Sequence, residues 1–391
     1  MKLVVVGFGQ CGGRIADEFA RINKRARSRR GIEIITGAFA VNTDAADLSG
    51  LSCIKQDYQH RILIGGRKTS GHGVGKINEL GAEVAKEDGD KVIDAIRATQ
   101  RFFETDAFLL VASSAGGTGS GAIPILTQAI KERYMDKPVY NLIILPFEHE
   151  ETTEERTIYN SATCLKSANS VADAIFLIDN QRYVRKDFSL RNNLSKINAL
   201  IVEPFYNLLC AGEEKKAKYI GARILDAGDI IQTLVGWTVI GYGKSQVPLI
   251  RFPFEQTRNF RKKSTEIHKG IQAMDEAISD LSLKCNPMDA GRVLYLLSAP
   301  AKEMNMDLVK ELGDYLRDLT PEAVIRNGDY PRERGSMDVT VIMSELNNVE
   351  KVRSYYNQSS ELIPTMKKRQ EEVESKVRDI ENAAKDIPSL L

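Results

Sequence analysis

Cysteine is scarce in this chain: five residues in 391, at positions 11, 53, 164, 210 and 285. The number is odd and no two are close. Neither a disulfide framework nor a metal-ligand spacing can be read from them, and a reducing cytoplasm is expected. Net charge is almost absent, with 54 Lys+Arg against 53 Asp+Glu. That balance argues against a dedicated nucleic-acid binder and against a salt-adapted acidic surface, though not against a local patch. Long apolar runs are missing too. Leu3–Val6 at the start is far too short for a signal peptide or a membrane span; the sequence leaves membrane association undecided. Glycine plus proline is only 41 residues, which excludes collagen-like and low-complexity architectures.

What is present is 42% apolar residues, enough for two cores, arranged in alternation. Apolar runs read as buried parallel strands at Leu3–Val6, Ile32–Val41, Arg61–Ile64, Ala107–Ala112, Val139–Pro146 and Ala174–Asp179. Helical stretches at about 10–22, 76–102, 119–134 and 153–170 lie between them. This alternation predicts an α/β fold with a doubly wound parallel sheet, whose ligands bind where strand ends feed helix N-termini. A long helix is expected over 187–211, then a smaller α+β domain with strands at Val235–Tyr242, Arg292–Ser298 and Val339–Met343 and helices at 260–282 and 306–319. The predicted domains are 1–186, the core helix 187–211, 212–345, and a helical segment 346–391. In that last segment Val352, Tyr356, Ser359, Ile363, Met366, Gln370, Val373, Val377, Ile380, Ala384 and Ile387 follow a 3-4 spacing. It is expected to pack on the protein's own body rather than in a coiled coil, with a helix restart at Pro364.

Three glycine loops carry the chemistry. Gly7-Phe8-Gly9-Gln10-Cys11-Gly12-Gly13, with Arg14 behind it, follows the first strand and opens a helix. Glycines there let a ligand approach the backbone amides, and a helix N-terminus offers N–H groups and partial positive charge to phosphate. The run also matches the dinucleotide pattern GxGxxG, so an NAD-dependent oxidoreductase is the first rival reading. Ala115-Gly116-Gly117-Thr118-Gly119-Ser120-Gly121 decides between them. It follows the strand that ends at Ala112, packs four glycines into six positions, and adds the hydroxyls of Thr118 and Ser120; Ser113, just before it, is also a candidate ligand contact. It lacks Gly-Lys-Ser/Thr, so it is no Walker loop. A third loop, Gly71-His72-Gly73-Val74-Gly75, completes the set. Three loops at one sheet edge suit a polyphosphate, and with only Arg14 and Lys68 as nearby cations, Mg²⁺ is expected.

Taken together these segments resemble the tubulin/FtsZ superfamily over residues 1–345. Ala115–Gly121 is similar to its GGGTGSG signature with alanine in first place. Gly9-Gln10-Cys11-Gly12 resembles the tubulin first loop, and Asn42-Thr43-Asp44 and Gly71–Gly75 the second and third loops of FtsZ. Pro146-Phe147 with its glutamates and Arg156 resembles the ribose-contacting fifth loop; counting from Phe147 selects Glu150, counting back from Arg156 selects Thr152, and Glu150, Glu151 and Glu154 all stay candidates. The resemblance implies guanine reading by Asn180 and Asn192, base stacking on Phe188, and GTP/GDP with Mg²⁺ as ligands. It implies catalytic carboxylates at Asp226 and Asp229, which reach the next subunit's nucleotide in a head-to-tail homopolymer. Ile224 departs from the asparagine usual in FtsZ, which keeps open a nucleotide-gated structural protein with little hydrolysis. Length and loop mixture, with no long disordered tail expected, make the chain most similar to CetZ, the archaeal branch, and imply a role in cell shape.

Cys11 is expected to be a close-packed loop residue, His149 an exposed loop histidine, and the basic run Lys24, Arg25, Arg27, Arg29 and Arg30 a solvated loop.

Overall fold

Alternate residues of the first strand face opposite sides of a sheet, and both sides are buried. In the computed structural model Leu3 and Val5 enter one core while Val4, Val6 and Phe8 enter the other. This is what a strand covered on both faces by helices requires. The structure describes residues 1–184, 190–245, 259–333 and 336–385, without the side chains of 190–193, 259–265, 370 and 381.

The elements run β1 Leu3–Phe8, α1 Gly9–Arg30, β2 Ile35–Asn42, α2 Ala45–Ser49, β3 Arg61–Leu63, α3 Gly66–Thr69, α4 Asn78–Arg97, β4 Ala107–Ser113, α5 Thr118–Arg133, β5 Val139–Leu145, α6 Glu148–Thr153, α7 Glu155–Asn169 and β6 Ala174–Asp179. There follow α8 Leu190–Ala211, α9 Ala227–Thr233, β7 Gly236–Ser245, α10 Asn259–Ser279, β8 Ala290–Pro300, α11 Met306–Leu319, β9 Val324–Arg332, β10 Met337–Leu346 and α12 Glu350–Ala384. The strands form one sheet in the order β3-β2-β1-β4-β5-β6-β7-β10-β8-β9. The first six are parallel, with a switch of winding direction between β1 and β4. That switch opens a crevice at the strands' carboxyl ends, where such sheets bind ligands. The second half is joined to the first through β7, parallel to β6 but antiparallel to β10.

Helix α8 lies on the first-half sheet, its Phe205 edge-on to both Phe19 of α1 and Phe176 of β6, each at 5.3 Å. Its 22 residues span about 33 Å, and its end is fixed: the Met1 nitrogen donates to the Leu209 carbonyl at 3.1 Å and pairs with Glu213 at 3.0 Å. Met1 precedes β1, so α8 ends at the amino edge of the sheet. The following helix α9 also belongs to that edge, because it stops just before β7, whose first residue pairs with the first residue of β6.

Three expectations change. The basic run 24–30 is the last two turns of α1, not a loop. Two of its cations are held inside the molecule: Arg25 bonds Glu203 at 2.8 Å and stacks on Tyr206, while Arg30 pairs with Glu214 at 3.3 Å and lies over Tyr219 and Tyr330; Lys24, Arg27 and Arg29 are exposed. Strand β9 was not anticipated. Its sequence, VIRNGDYPR, is an edge strand with glycine, proline and three charged residues and no alternation to betray it. Finally, α12 runs through Pro364 as one helix of 35 residues rather than restarting there. Only its first part packs on the body: Val352, Tyr355 and Ser359 are buried, whereas Val373, Val377 and Ile380 are exposed.

No helix among the described residues is long and apolar enough to cross a membrane.

Candidate functional site

The Gly7–Gly13 and Ala115–Gly121 loops interlock at the switch point. Gly9 holds a left-handed φ of 69°, and a Cβ on it would stand 3.2 Å from the Gly119 nitrogen. A Cβ on Gly119 would stand 2.9 Å from the Phe8 carbonyl, and one on Gly12 only 2.2 Å from the Val111 carbonyl. These glycines serve close packing of α1 and α5 against the sheet. Gly116 differs: nothing lies within 4 Å of its Cβ position. It leaves open the space that a ligand against the Ala115–Gly121 backbone would enter.

The helices that start here lack what other helix starts have. Neither α1 nor α5 has a side-chain cap or an acidic residue in its first turn. By contrast Asp44 caps α2 and Asp226 caps α9. Uncapped N–H groups at two convergent helix N-termini leave partial positive charge for an anion. Arg14 is exposed beside them and lines a cleft of about 200 Å³ between α1 and α8, with Leu194 and Asn198. Lys68 is drawn away, held by Glu83 and Glu87 of α4 at 2.6 Å each. Backbone amides therefore supply most of the positive cover.

The second and third loops are stitched to this cradle. The Thr43 and Thr118 hydroxyls meet at 2.7 Å, both buried. Asn42 Oδ1 accepts from the Thr43 nitrogen at 2.8 Å, and Asp44 and His72 bridge the two loops. Gly71, Gly73 and Gly75 all take left-handed φ of 78°, 80° and 56°, which side chains rarely adopt. Ser120 does not present its hydroxyl to the crevice; it donates back to the Gly116 carbonyl. The Ser113 hydroxyl likewise accepts from the Ala115 nitrogen at 3.3 Å. The hydroxyls of Thr118 and Ser120, expected as ligand donors, also hold the loops in shape. Burial pushes the Cys11 thiol up to about 12, with the nearby Glu150 carboxylate adding to it. Cys11 is thus protonated at neutral pH and no nucleophile.

Two residues invisible to pattern reading organise the site. Asp47 accepts from Gln10 at 2.6 Å and from Asn42 at 3.0 Å, tying the first loop to the second. Asn160 of α7, fully buried, donates to the carbonyls of Ala115 at 3.0 Å and Lys76 at 2.9 Å. By holding carbonyls it turns the loop's amides outward. Neither carries a motif; only their place in the fold selects them.

The fifth-loop candidates separate. Glu150 reaches back to the Phe147 nitrogen at 2.9 Å and stays close to Cys11 of the first loop. Glu151 is engaged by α12 instead, bonded by Tyr355 at 2.5 Å and paired with Lys351 at 3.3 Å. Glu154 pairs with Lys76 at 2.5 Å. Arg156 pairs with Glu79 and packs on Tyr159. Asn180, half-buried, opens the turn after β6. Phe188 and the side chain of Asn192 lie outside the described residues.

Asp226 and Asp229 are not in this crevice. They sit at the start of α9, at the amino edge of the sheet, while the glycine loops occupy the carboxyl edge. Asp226 caps the helix through the Asp229 nitrogen at 2.9 Å, and Arg326 stands 3.9 Å from Asp229. The preceding loop is pinned to β9, where Asp329 accepts from the nitrogens of Ala222 at 3.0 Å and Arg223 at 2.6 Å. The carboxylates are rigidly held, yet about one α8 length from the cradle.

Known proteins share this arrangement. Residues 2–186 match the model of the Tubulin/FtsZ family, GTPase domain, and residues 187–361 that of the Tubulin-like CetZ, C-terminal domain. Tubulin-like protein CetZ1 of Haloferax volcanii is 33% identical over 369 residues, covering 90% of each chain. The GDP-bound monomer of CetZ1 from Haloferax volcanii superposes with a TM-score of 0.78 at 30% identity, covering 92% of this chain and 99% of that one. The GTPγS-bound protofilament of CetZ2 from the same organism gives 0.80 at 28%, covering 94% and 100%. Interlocked glycine loops at the switch point, the core helix behind them and full-length similarity on both halves place the chain in the tubulin/FtsZ family, in its CetZ branch.

Proposed function

We propose that this chain binds GTP at the carboxyl-edge cradle and hydrolyses it within a head-to-tail homopolymer. The observation that carries the reading is the placement of its two chemical ends on opposite edges of one sheet. A chain whose phosphate cradle is at one edge and whose exposed carboxylates are at the other cannot join them within itself. Stacked head to tail, each subunit brings Asp226 and Asp229 to its neighbour's cradle. Such a heterologous contact propagates into an open filament. The carboxylates then orient a water for attack on the γ-phosphate, and phosphate loss weakens the contact. Amides of the Ala115–Gly121 and Gly9–Gly13 loops hold the phosphates, Glu150 flanks the ribose, and Asn180 and Asn192 read guanine with Phe188 against the base. Asp47, the carboxylate beside the first loop, is the hard oxygen donor that would hold a Mg²⁺ ion, and the ion would neutralise charge on the phosphates. The cellular role we infer is cytoplasmic, in cell shape.

Turnover per subunit should rise with protein concentration and level off above a critical value. A constant rate per subunit would sink the in-trans site. GTP should outcompete ATP for binding; equal affinities would remove the guanine assignment. Asn160→Ala is expected to cost about 1–3 kcal/mol in urea unfolding, because buried carbonyls lose their donor. It should also raise KM more than it lowers kcat, since it disturbs the cradle and not the carboxylates.

A further inference from the structure

The end of α12 is a helix without a body to lie on. Its last ion pair to the body joins Arg369 to Glu155 at 2.7 Å. Every residue described between 371 and 385 is exposed. Yet the 3-4 apolar spacing continues there, with Val373 59%, Val377 48% and Ile380 70% exposed. A solvated helix of this length is marginal by itself. Nothing in a subunit's own core calls for that stripe.

The stripe has a heptad register. Positions a are Ile363, Gln370, Val377 and Ala384, and positions d are Met366, Val373 and Ile380. The flanks decide what can cover it. The g position carries Arg369, Lys376 and Ala383, and the e position carries Lys367, which precedes the projecting part, then Glu374 and Glu381. In a parallel pair each g faces the e five residues on in the partner, so Lys376 meets Glu381 of the opposite helix. In an antiparallel pair e faces e and g faces g, which sets Glu374 against Glu381 and basic residues against each other. Charge complementarity therefore selects a second copy of the same helix in parallel. Gln370, a lone polar residue at a, fixes register in such a seam.

We propose that the projecting part of α12, from about Gln370 onward, pairs with the same segment of a second chain as a parallel two-stranded coiled coil. The contact is isologous and uses neither the nucleotide cradle nor the α9 edge. It therefore joins subunits sideways, independently of head-to-tail stacking. A seam this short is weak alone, and many copies along two filaments would strengthen it by multivalency.

The test is sedimentation equilibrium of the full chain with GDP, where the two contacts can be told apart. A concentration-dependent dimer is expected. Val377→Asp should weaken it by about tenfold or more, because a carboxylate would be buried in the seam. Lys376→Glu should weaken it, and adding Glu381→Lys should restore it, a rescue that loss of helix structure would not give. With Val377→Cys, oxidation should cross-link two chains far faster than with Ser375→Cys on the outer face. A chain that stays monomeric throughout, leaving the stripe to another partner, overturns the proposal. So do a trimer at saturation, failure of the charge swap to rescue, and equal cross-linking at 375 and 377.

Discussion

Replacing Asp229 by alanine is expected to lower GTP turnover by about 10²–10⁴-fold while leaving GTP affinity unchanged. The magnitude is that of removing a group that positions or deprotonates a nucleophile. Affinity is spared because Asp229 stands at the amino edge of the sheet and touches no part of its own cradle. Asp229 is a cleaner target than Asp226. The latter caps α9, so its truncation would add a stability loss of about 1 kcal/mol; Asp226→Asn keeps the cap and removes only the charge. Mixing sharpens the result. An Asp229→Ala subunit retains a sound cradle, and a Gly116→Val subunit retains sound carboxylates. In a random mixed filament roughly one interface in four unites the two sound halves, so some activity should return. A mixture as inactive as its parts would argue for a site within one subunit.

The second large effect separates glycines that serve a ligand from glycines that serve the fold. Gly116→Val should abolish measurable GTP binding, a loss of about 10²-fold or more, with Tm almost unmoved. Its side chain enters empty space, with nothing within 4 Å and no left-handed φ to strain, yet that space faces the cradle. Gly12→Ala should do the reverse. Its Cβ would stand 2.2 Å from the Val111 carbonyl, so α1 must move off the sheet, at a cost of about 3 kcal/mol or more. Nucleotide titration and thermal unfolding of the two variants check this directly. If Gly116→Val binds GTP normally, the cradle lies elsewhere.

The two glycines look alike in sequence, each one of several in a glycine-rich loop. Their difference shows how far the sequence reaches. The parallel strands were legible because burial on both faces demands unbroken apolar runs such as Ala107–Ala112, and that pressure is local. The loops were legible because a turn that approaches a phosphate needs glycine at fixed offsets from a strand end. Strand β9 was not legible, because an edge strand pairs on one side and can carry glycine, proline and charge. Nor were Asp47 and Asn160. Each acts by bonding to segments far along the chain, and a single amide or carboxylate has no local signature.

The same division holds for the charges that seemed only to cancel. The sequence by itself determined the class of fold, the alternation of strands and long helices in its first half, and three loops able to meet a polyphosphate. All are set by residue type and spacing over a few positions. Only the tertiary structure decided which charges are already taken and which ends face away from each other. It made the basic run the end of α1, with Arg25 bonded to α8, and drew Lys68 away from the loops. It set Asp226 and Asp229 at the edge opposite the glycine loops, and left the described residues of α12 from Glu371 onward exposed. Those are long-range facts. They depend on which segments the sheet order brings together, and no window of sequence contains both members of such a pair.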